Sequence, residues 1–306
     1  MNLKLSSQDV ALMAIFAALS AIVVKVVPGI PIIGLSGASI KFDAALAPIY
    51  GMIIGPYLGF LAGLVGGLIV ADSPFSVLTS FATAISAFVA GFFVQSVHAS
   101  KGNRFHGWTI ASTVVGLLIL GWYATWVGRQ LPFYPILHFS GLFIILVGRG
   151  KIAKVFEKEE KSGGSWQPKP YVLLFGILVF VLAYIFSKLY LIQVEIISYF
   201  SLPLYIVGGV AIVYGLLGSR IKEKFVIAIA LASYCGIIAD HMVGNLMFIQ
   251  FADPFWGLSA EFVLLAFIEA APISVVERLI FTTIATIVGV GLISSIRRAG
   301  LYLKRK

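Results

Sequence analysis

The stretch IKFDAALAPIYGMIIGPYLGFLAGLVGGLIVA, residues 40–71, decides the fold. It is apolar almost throughout, but Gly55-Pro56 interrupts it in the middle. As one helix from Asp43 to Ala71, its 29 residues would span about 43 Å, more than the roughly 30 Å hydrocarbon core of a bilayer. We therefore predict two short helices joined by a tight Gly-Pro turn. Such interrupted segments are tolerated in membranes where they pack against protein or line a cavity.

Small residues crowd the second half of this stretch. The patterns Gly59-x-x-x-Gly63 and Gly63-x-x-x-Gly67 place glycines on one helical face, where another helix can approach closely. Two interpretations follow from the sequence. The hairpin is either a structural element only, or one wall of a solute site.

The composition indicates an all-α polytopic membrane protein. The chain is 60% hydrophobic and 11% charged, whereas soluble domains carry about 25% charged residues. There is no GxxxxGK[ST] pattern and no polar stretch long enough for a nucleotide-binding domain, so any ATP-driven step needs another subunit. The polar stretch from Gly148 to Pro170 is interpreted as a loop.

The order of apolar segments predicts about ten transmembrane helices. Seventeen of the 22 Lys and Arg residues fall in segments that are cytoplasmic if both termini are cytoplasmic, which agrees with the positive-inside rule. The same rule accounts for the net charge of +9 without a nucleic-acid partner. The expected localisation is the cell (plasma) membrane. The predicted helices are 9–27, two within 43–71, 76–97, 108–127, 133–147, 171–191, 199–218, a ninth from 225 towards 240 or beyond, and 273–296, with a turn at 129–132 and a short helix at 259–270.

Most of the acidic side chains outside the cytoplasmic segments are expected near the outer membrane face. A carboxylate in a spanning helix costs about 2.5–3.5 kcal/mol at the bilayer centre and less near the interface. Two interpretations stay open: interfacial charges paired with Lys41, Arg129 or Arg278, or a site for a cationic or hydrogen-bonding solute. These acids are Asp43, Asp72, Asp240, Asp253, Glu261, Glu269 and Glu277.

The most polar cluster within an apolar stretch is Asp240-His241-Met242-Val243-Gly244-Asn245. In a helix, residues four apart share a face, which groups His241 with Asn245. This pattern suits hydrogen bonding to a solute. We expect no metal here, because no second His with ligand spacing accompanies His241, and the chain shows no motif that requires a cofactor.

Glu277-Arg278 is expected to form a buried ion pair at the head of the last helix. No nucleophile motif such as GxSxG or HExxH is present. Polar side chains gather at the outer edge rather than deep in the helices, which favours binding over catalysis. We therefore expect a protein that is not an enzyme.

The run KFDAALAPIYGMIIGPYLGFLAGLVGGLI resembles helices 2 and 3 of the substrate-binding (S) components of energy-coupling factor (ECF) transporters. The shared features are the Phe42-Asp43 start, Pro48, the Gly55-Pro56 turn and the glycines that follow. The alanine-rich first helix resembles the family's docking face for the transmembrane coupling (T) subunit, and PISVVERLIFTTIATIVGVGLISSIRR resembles the family's last helix.

The resemblance implies a division of the chain. Family members have six helices, so residues 1–97 and 225–306 would form the core and 98–224 an inserted four-helix block. The solute would be held among core helices 1 and 4–6, beneath the loop before Lys41. The implied substrate-binding residues are Asp43, Asp72, Asp240, Asn245 and Glu277, with His241 from the polar cluster, and the implied docking residues are Ala14, Ala18 and Ala21.

The expected function is the substrate-capture subunit of an ECF-type importer for a vitamin or related micronutrient. Its partners would be the small-molecule solute, the coupling subunit, separate ATPase subunits and membrane lipid. Two alternatives remain: a stand-alone, ion-coupled secondary transporter, and a membrane-embedded enzyme of lipid or isoprenoid chemistry.

Overall fold

A computed structural model describes residues 6–27, 29–31, 39–95, 106–157, 170–189 and 223–299, together with eight single positions between 201 and 215. The fold is all-α, as predicted, apart from a two-residue antiparallel pairing of β1 with β2. The elements are α1 (Ser7–Val26), β1 (Ile30–Pro31), β2 (Ser39–Ile40), α2 (Asp43–Ile54), α3 (Pro56–Val70), α4 (Pro74–Phe93), α5 (Gly107–Ala124), α6 (Trp126–Gln130), α7 (Ile136–Glu157), α8 (Pro170–Leu189), α9 (Glu223–Trp256) and α10 (Ala260–Arg298).

The opening hairpin forms as the sequence predicts. Gly55 separates α2 from α3 with φ at 91°, a left-handed value that glycine adopts without strain. Pro56 is the first residue of α3, where its missing N–H costs no helical hydrogen bond. Every residue of α2 is buried, so this short helix lies in the interior and contacts protein on all sides.

Glycines allow the helices around α2 to pack closely. A side chain at Gly51 would collide with the backbone of Ala87 in α4, and one at Gly59 would collide with Gly51. In α3, a side chain at Gly66 would meet Ser20 and Ala17 of α1. The α2–α3 hairpin is therefore held between α1 and α4 by direct backbone contact.

The core is completed by the two longest helices. α9 packs against α2, α4, α7 and α10, and α10 also contacts α2. α5 packs against α4 and α7, so the helices between 107 and 157 lie directly on the core. A separate apolar cluster joins the end of α5 and α6 to the second half of α9 and the first half of α10.

Six of the described helices are long and apolar enough to cross a membrane: α1, α4, α5, α7, α9 and α10. α2 and α3 are shorter, as a hairpin interrupted by Gly-Pro should be. α9 has 34 residues and α10 has 39, which is about 51 Å and 58 Å of helix. Both exceed the hydrocarbon core, so each must tilt strongly or extend beyond it.

The C-terminal third agrees with the sequence at one helix and differs at another. The ninth helix, predicted from 225 towards 240 or beyond, is α9, which continues to Trp256, and only 257–259 separate it from α10. The short helix at 259–270 and the helix at 273–296 are one helix, α10, which continues through Pro272. In an apolar environment unpaired backbone groups are costly, and this favours continuation of a helix through a single proline. Glu277 and Arg278 therefore lie in the middle of α10 and not at its head.

Two predictions around α7 were also wrong in part. The turn at 129–132 is preceded by the short helix α6, which includes Arg129. The first part of the supposed loop after Gly148 is helical to Glu157, with a kink at Arg149, where φ is 36°. Ile152 and Phe156 are buried on one face of this extension while Lys151 and Lys154 are exposed, so its pattern is amphipathic.

Some predictions fall outside the described residues. The predicted helix at 199–218 is represented only by single helical positions, and the basic tail after residue 299 and the loop residues 96–105 are not described. The orientation of the termini stays a prediction.

Candidate functional site

A buried polar cluster lies where α1, α2, α9 and α10 meet. Asp43, the first residue of α2, is 5% exposed and accepts a hydrogen bond from the Ser20 hydroxyl of α1 at 3.2 Å. Asp43 is close enough to Asp240 of α9 for their charges to interact. This cluster thus connects the opening hairpin with the C-terminal helices.

Arg278 is the cation of this cluster. Its guanidinium donates to Glu277 at 2.7 Å and lies 3.7 Å from Asp240. The side chains of Glu277 and Arg278 are almost fully buried. Arg278 also lies over the ring of Phe281, 5.5 Å from its centre. The predicted ion pair is present, and it is shared with a second acid from the neighbouring helix.

Two imidazoles lie beside the ion pairs. His138 of α7 stacks on His241 of α9, with ring centres 5.3 Å apart. His138 is 1% exposed and His241 is 9% exposed. Both nitrogens of His138 and the Nδ1 of His241 have no hydrogen-bond partner of good geometry among the described residues. Buried polar groups are normally paired, so these unpaired nitrogens stand out.

Tyr134 extends the polar surface from the turn before α7. Its hydroxyl lies beside the side chains of Ser274 and Asn245. The Asn245 amide nitrogen and the Arg278 Nε also have no partner within the described structure. The Tyr134 ring stacks on Trp122 with centres 4.6 Å apart and meets Phe267 edge-on. An aromatic wall and several unpaired hydrogen-bonding groups therefore share one place.

A cavity of about 360 Å³ opens beside these groups. That volume falls within the range of small-molecule sites, roughly 300–1,000 Å³. The walls come from the α6–α7 turn, from α7, from His241 of α9 and from the middle of α10. The lining residues are Gln130, Leu131, Pro132, Phe133, Tyr134, Ile136, Leu137, His138, His241, Phe267, Ile268, Ala271, Ser274 and Val275.

The structure brings together five of the six residues that the sequence suggested for solute binding. Asp240 and Glu277 lie beside Arg278, and Asp43 is close enough to Asp240 for their charges to interact. His241 and Asn245 lie on the side of Tyr134 and His138. Asp72 is different. It is exposed in the loop between α3 and α4, where its backbone N–H donates to the Ser76 hydroxyl at 2.9 Å.

Sequence reasoning did not include Tyr134, His138, Ser274 or Arg278 among the site residues. One signal was available: polar residues four apart recur in three segments, and on α9 and α10 this spacing places both residues of a pair on one helical face. The pairs are Tyr134 with His138, His241 with Asn245, and Ser274 with Arg278. What the sequence could not show is that these three segments meet. No group of three or more His, Cys, Asp or Glu side chains that could hold a metal occurs in the part of the chain that the structure describes.

The proposed docking residues lie on α1. Ala14 and Ala18 are exposed, and Ala21 is half-buried. The buried face of α1 is formed instead by Phe16, Ala17 and Ser20, which face α2 and α3. The alanine face is therefore left uncovered by the rest of the described chain.

Comparison with protein families finds a match over residues 4–136 to the family model described as ECF-type riboflavin transporter, S component. No curated protein and no solved structure matches the chain. The family match extends past residue 98, through α5 and α6 to the first residue of α7. The division into a core and a four-helix insertion stays a prediction. The match supports the resemblance found in the sequence: residues 4–136, which are less than half of the chain, are similar to the S component of ECF-type riboflavin transporters.

Proposed function

We propose that this protein is the substrate-capture subunit of an ECF-type importer for a vitamin or related micronutrient. It would work with a coupling subunit and ATPase subunits supplied as separate chains. The observation that carries the proposal is the buried polar cluster beside a cavity, in a chain whose described residues include six candidate membrane spans. Ionisable side chains inside spanning helices are expensive and commonly mark a solute path.

The position of the cluster along the helices supports capture from outside. Asp240 is 16 residues from Lys224 near the start of α9, and Glu277 is 20 residues from Arg297 near the end of α10, distances of about 24 Å and 30 Å along a helix. If the basic ends are cytoplasmic, as the positive-inside rule predicts, both acids lie towards the outer face. Solute capture on that side is what an importer requires.

The solute class follows from the family and from the walls of the site. The matching family model is named for riboflavin transporters, so riboflavin and related vitamins are the first candidates. We include Asp43, Asp240, His241, Asn245 and Glu277 as substrate-binding residues, with Asp72 at the rim. Vitamins combine ring systems with several hydrogen-bonding atoms, and the cluster offers aromatic faces and unpaired donors together.

The test is mass spectrometry of small molecules released when the purified, detergent-solubilised chain is denatured. A stoichiometric, water-soluble, vitamin-like compound supports capture and identifies the solute. Riboflavin added to the purified chain should also bind, with the free compound followed by equilibrium dialysis. Release of lipids alone, together with no riboflavin binding, would contradict the proposal.

A second experiment, uptake into vesicles, distinguishes this function from that of a stand-alone transporter. Vesicles that contain only this chain should show no uptake driven by a proton or sodium gradient. Adding coupling and ATPase subunits of an ECF transporter, with ATP, should allow uptake of the released compound. Gradient-driven uptake by the chain alone would instead favour secondary transport.

A further inference from the structure

We propose that the exposed basic side chains where α7 ends and α9 begins bind the headgroup of an anionic phospholipid. The binding residues are Arg149, Lys151 and Lys154 of α7, with Lys224 of α9 near them, and the acyl chains lie along the exposed apolar face of α7 that precedes its kink. The family model matches residues 4–136 and so does not include this surface. The inference goes beyond the proposed function, because it requires only that the chain lies in a membrane.

The ends of three candidate membrane spans meet at this surface: α5 and α9 begin here, and α7 ends here. The Arg149 guanidinium lies over the ring of Trp108 at the start of α5, 5.6 Å from its centre. The ring of Phe156 lies 5.3 Å from that of Phe225 at the start of α9. α5 has 18 residues, about 27 Å of helix, so its ends must lie near the two surfaces of a roughly 30 Å hydrocarbon core. Trp108 and Arg149 are therefore at the level of the lipid headgroups, where tryptophan is enriched.

The segment of α7 after the kink at Arg149 is fixed to the protein on one side and open on the other. Ile152 and Phe156 are buried, whereas Lys151 and Lys154 are exposed. Residues three apart are neighbours on a helix surface, so the two ammonium groups can contact the same anion. The buried side holds the segment in place, and the two lysines therefore extend from a defined position.

This surface has an excess of positive charge. Arg149, Lys151, Lys154 and Lys224 are exposed, and Glu157 is the exposed acid at the end of the same segment. Within the described ranges, none of these four cations lies within ion-pair distance of a carboxylate. Clustered basic residues at a membrane surface attract anionic lipid headgroups. If the basic ends are cytoplasmic, as the positive-inside rule predicts, they face the leaflet whose surface potential is negative.

Arg149 is oriented for a phosphate group. Its Nε donates to the backbone carbonyl of Leu146 at 2.9 Å, and its guanidinium stacks on Trp108. No residue in the described part of the chain accepts a hydrogen bond from its terminal nitrogens. The planar guanidinium can donate two parallel hydrogen bonds to phosphate oxygens. Arg149 is thus the residue most suited to bind the phosphodiester directly.

The apolar face of α7 favours a lipid over a soluble phosphate. Phe143, Leu146 and Val147 are 66%, 41% and 53% exposed, and all three precede Arg149 by no more than two helical turns. An exposed apolar face that leads directly to cations matches a molecule whose acyl chains are attached to a phosphate. A soluble phosphate would use the cations alone and leave this face without a partner.

The test is native mass spectrometry of the full chain after delipidation in detergent. The probes are equal amounts of phosphatidylglycerol, which has one net negative charge, and phosphatidylcholine, which has none, with the same acyl chains. We expect phosphatidylglycerol to bind at least about tenfold better. Glycerol 3-phosphate at the same concentration has the phosphate without acyl chains, and it should not displace the lipid.

Two double variants with the same change in charge locate the binding. Lys151→Gln with Lys154→Gln removes two cations of the proposed site. Lys25→Gln with Lys188→Gln removes two exposed lysines near the C-terminal ends of α1 and α8. We expect the preference for phosphatidylglycerol to fall about fivefold or more in the first variant and to stay within about twofold of wild type in the second. Arg149→Gln alone should lower it by about threefold or more.

Folding of each variant is checked by gel filtration and thermal unfolding. Equal binding of the two lipids to the wild-type chain would overturn the inference, as would equal losses in the two double variants. Displacement of the lipid by glycerol 3-phosphate would show a phosphate site that does not use the acyl chains. Loss of co-purification with coupling and ATPase subunits in the Lys151 and Lys154 variant, with an unchanged lipid preference, would show that the surface docks protein. Each of these results contradicts lipid binding and leaves the proposed solute capture intact.

Discussion

Arg278 of α10 lies 3.7 Å from Asp240 of α9, and this ion pair joins the two longest helices near their middles. The same guanidinium donates to Glu277 at 2.7 Å, so one cation is shared by two acids. In an apolar interior such a pair fixes the relative position of the helices more than it adds net stability. The cavity beside it depends on that fixed position.

Replacing Arg278 with Met should destabilise the fold strongly. The change leaves Asp240 and Glu277 buried without their counter-charge, and breaking a buried pair by removing one partner costs roughly 3–5 kcal/mol. The measurement is thermal or denaturant unfolding of the purified chain in detergent. Arg278→Lys keeps the positive charge and should therefore lower the stability of the fold less than Arg278→Met does. The prediction fails if Met and Lys variants unfold at the wild-type midpoint.

The fold was largely predictable because membrane-spanning helices appear in the sequence as long apolar segments. The Gly55-Pro56 break, the capping box of Ser6 with Asp9 and the start of α4 after Ser73 are local features, and local chemistry predicts them well. The predicted helix break before residue 273 was wrong because a proline, here Pro272, normally ends a helix in water. Inside an apolar environment the cost of unpaired backbone favours continuation.

The candidate site was less predictable because it depends on which helix faces meet. Asp240 and Glu277 were identifiable as charges in apolar helices. His138 was not identifiable as a site residue, since nothing in the sequence places α7 against α9. Its stacking on His241 arises from long-range packing alone. The same reason kept Arg278 outside the proposed site although its partner Glu277 was included.

Gly51→Ala should be destabilising although alanine favours helices. An added methyl group would collide with the backbone of Ala87 in α4, and overpacking typically costs about 1–3 kcal/mol. The matched control is Gly116→Ala in α5, where an added Cβ meets nothing within 4 Å. That control should be neutral or stabilise by roughly 0.5–1 kcal/mol. Unfolding midpoints in detergent compare the two, and equal midpoints would contradict close packing of α2 on α4.

Asp240→Asn should weaken solute binding more than Asp72→Asn. Asp240 is buried beside Arg278, whereas Asp72 is exposed in a loop, where water screens its charge. We expect at least about a tenfold loss for Asp240→Asn and less than about threefold for Asp72→Asn. Equilibrium dialysis with riboflavin or with the released solute measures both. A larger loss for Asp72→Asn would place the main binding contacts at the loop between α3 and α4 instead.

Ala14→Leu combined with Ala18→Leu should weaken docking of the coupling subunit without weakening solute binding. Both alanines are exposed on α1, and the opposite face with Phe16 and Ala17 is already buried. Larger side chains would hold a partner helix away from a surface that suits close packing.

The measurement is co-purification of the tagged chain with coupling and ATPase subunits, alongside dialysis with the solute. We expect recovery of the complex to fall about tenfold, which corresponds to about 1.4 kcal/mol of docking energy, while solute affinity stays within about twofold. The control is Ala124→Leu, an exposed alanine at the end of α5. Equal loss of docking and of solute binding, or equal loss in the control, would show that the α1 face is not a docking surface.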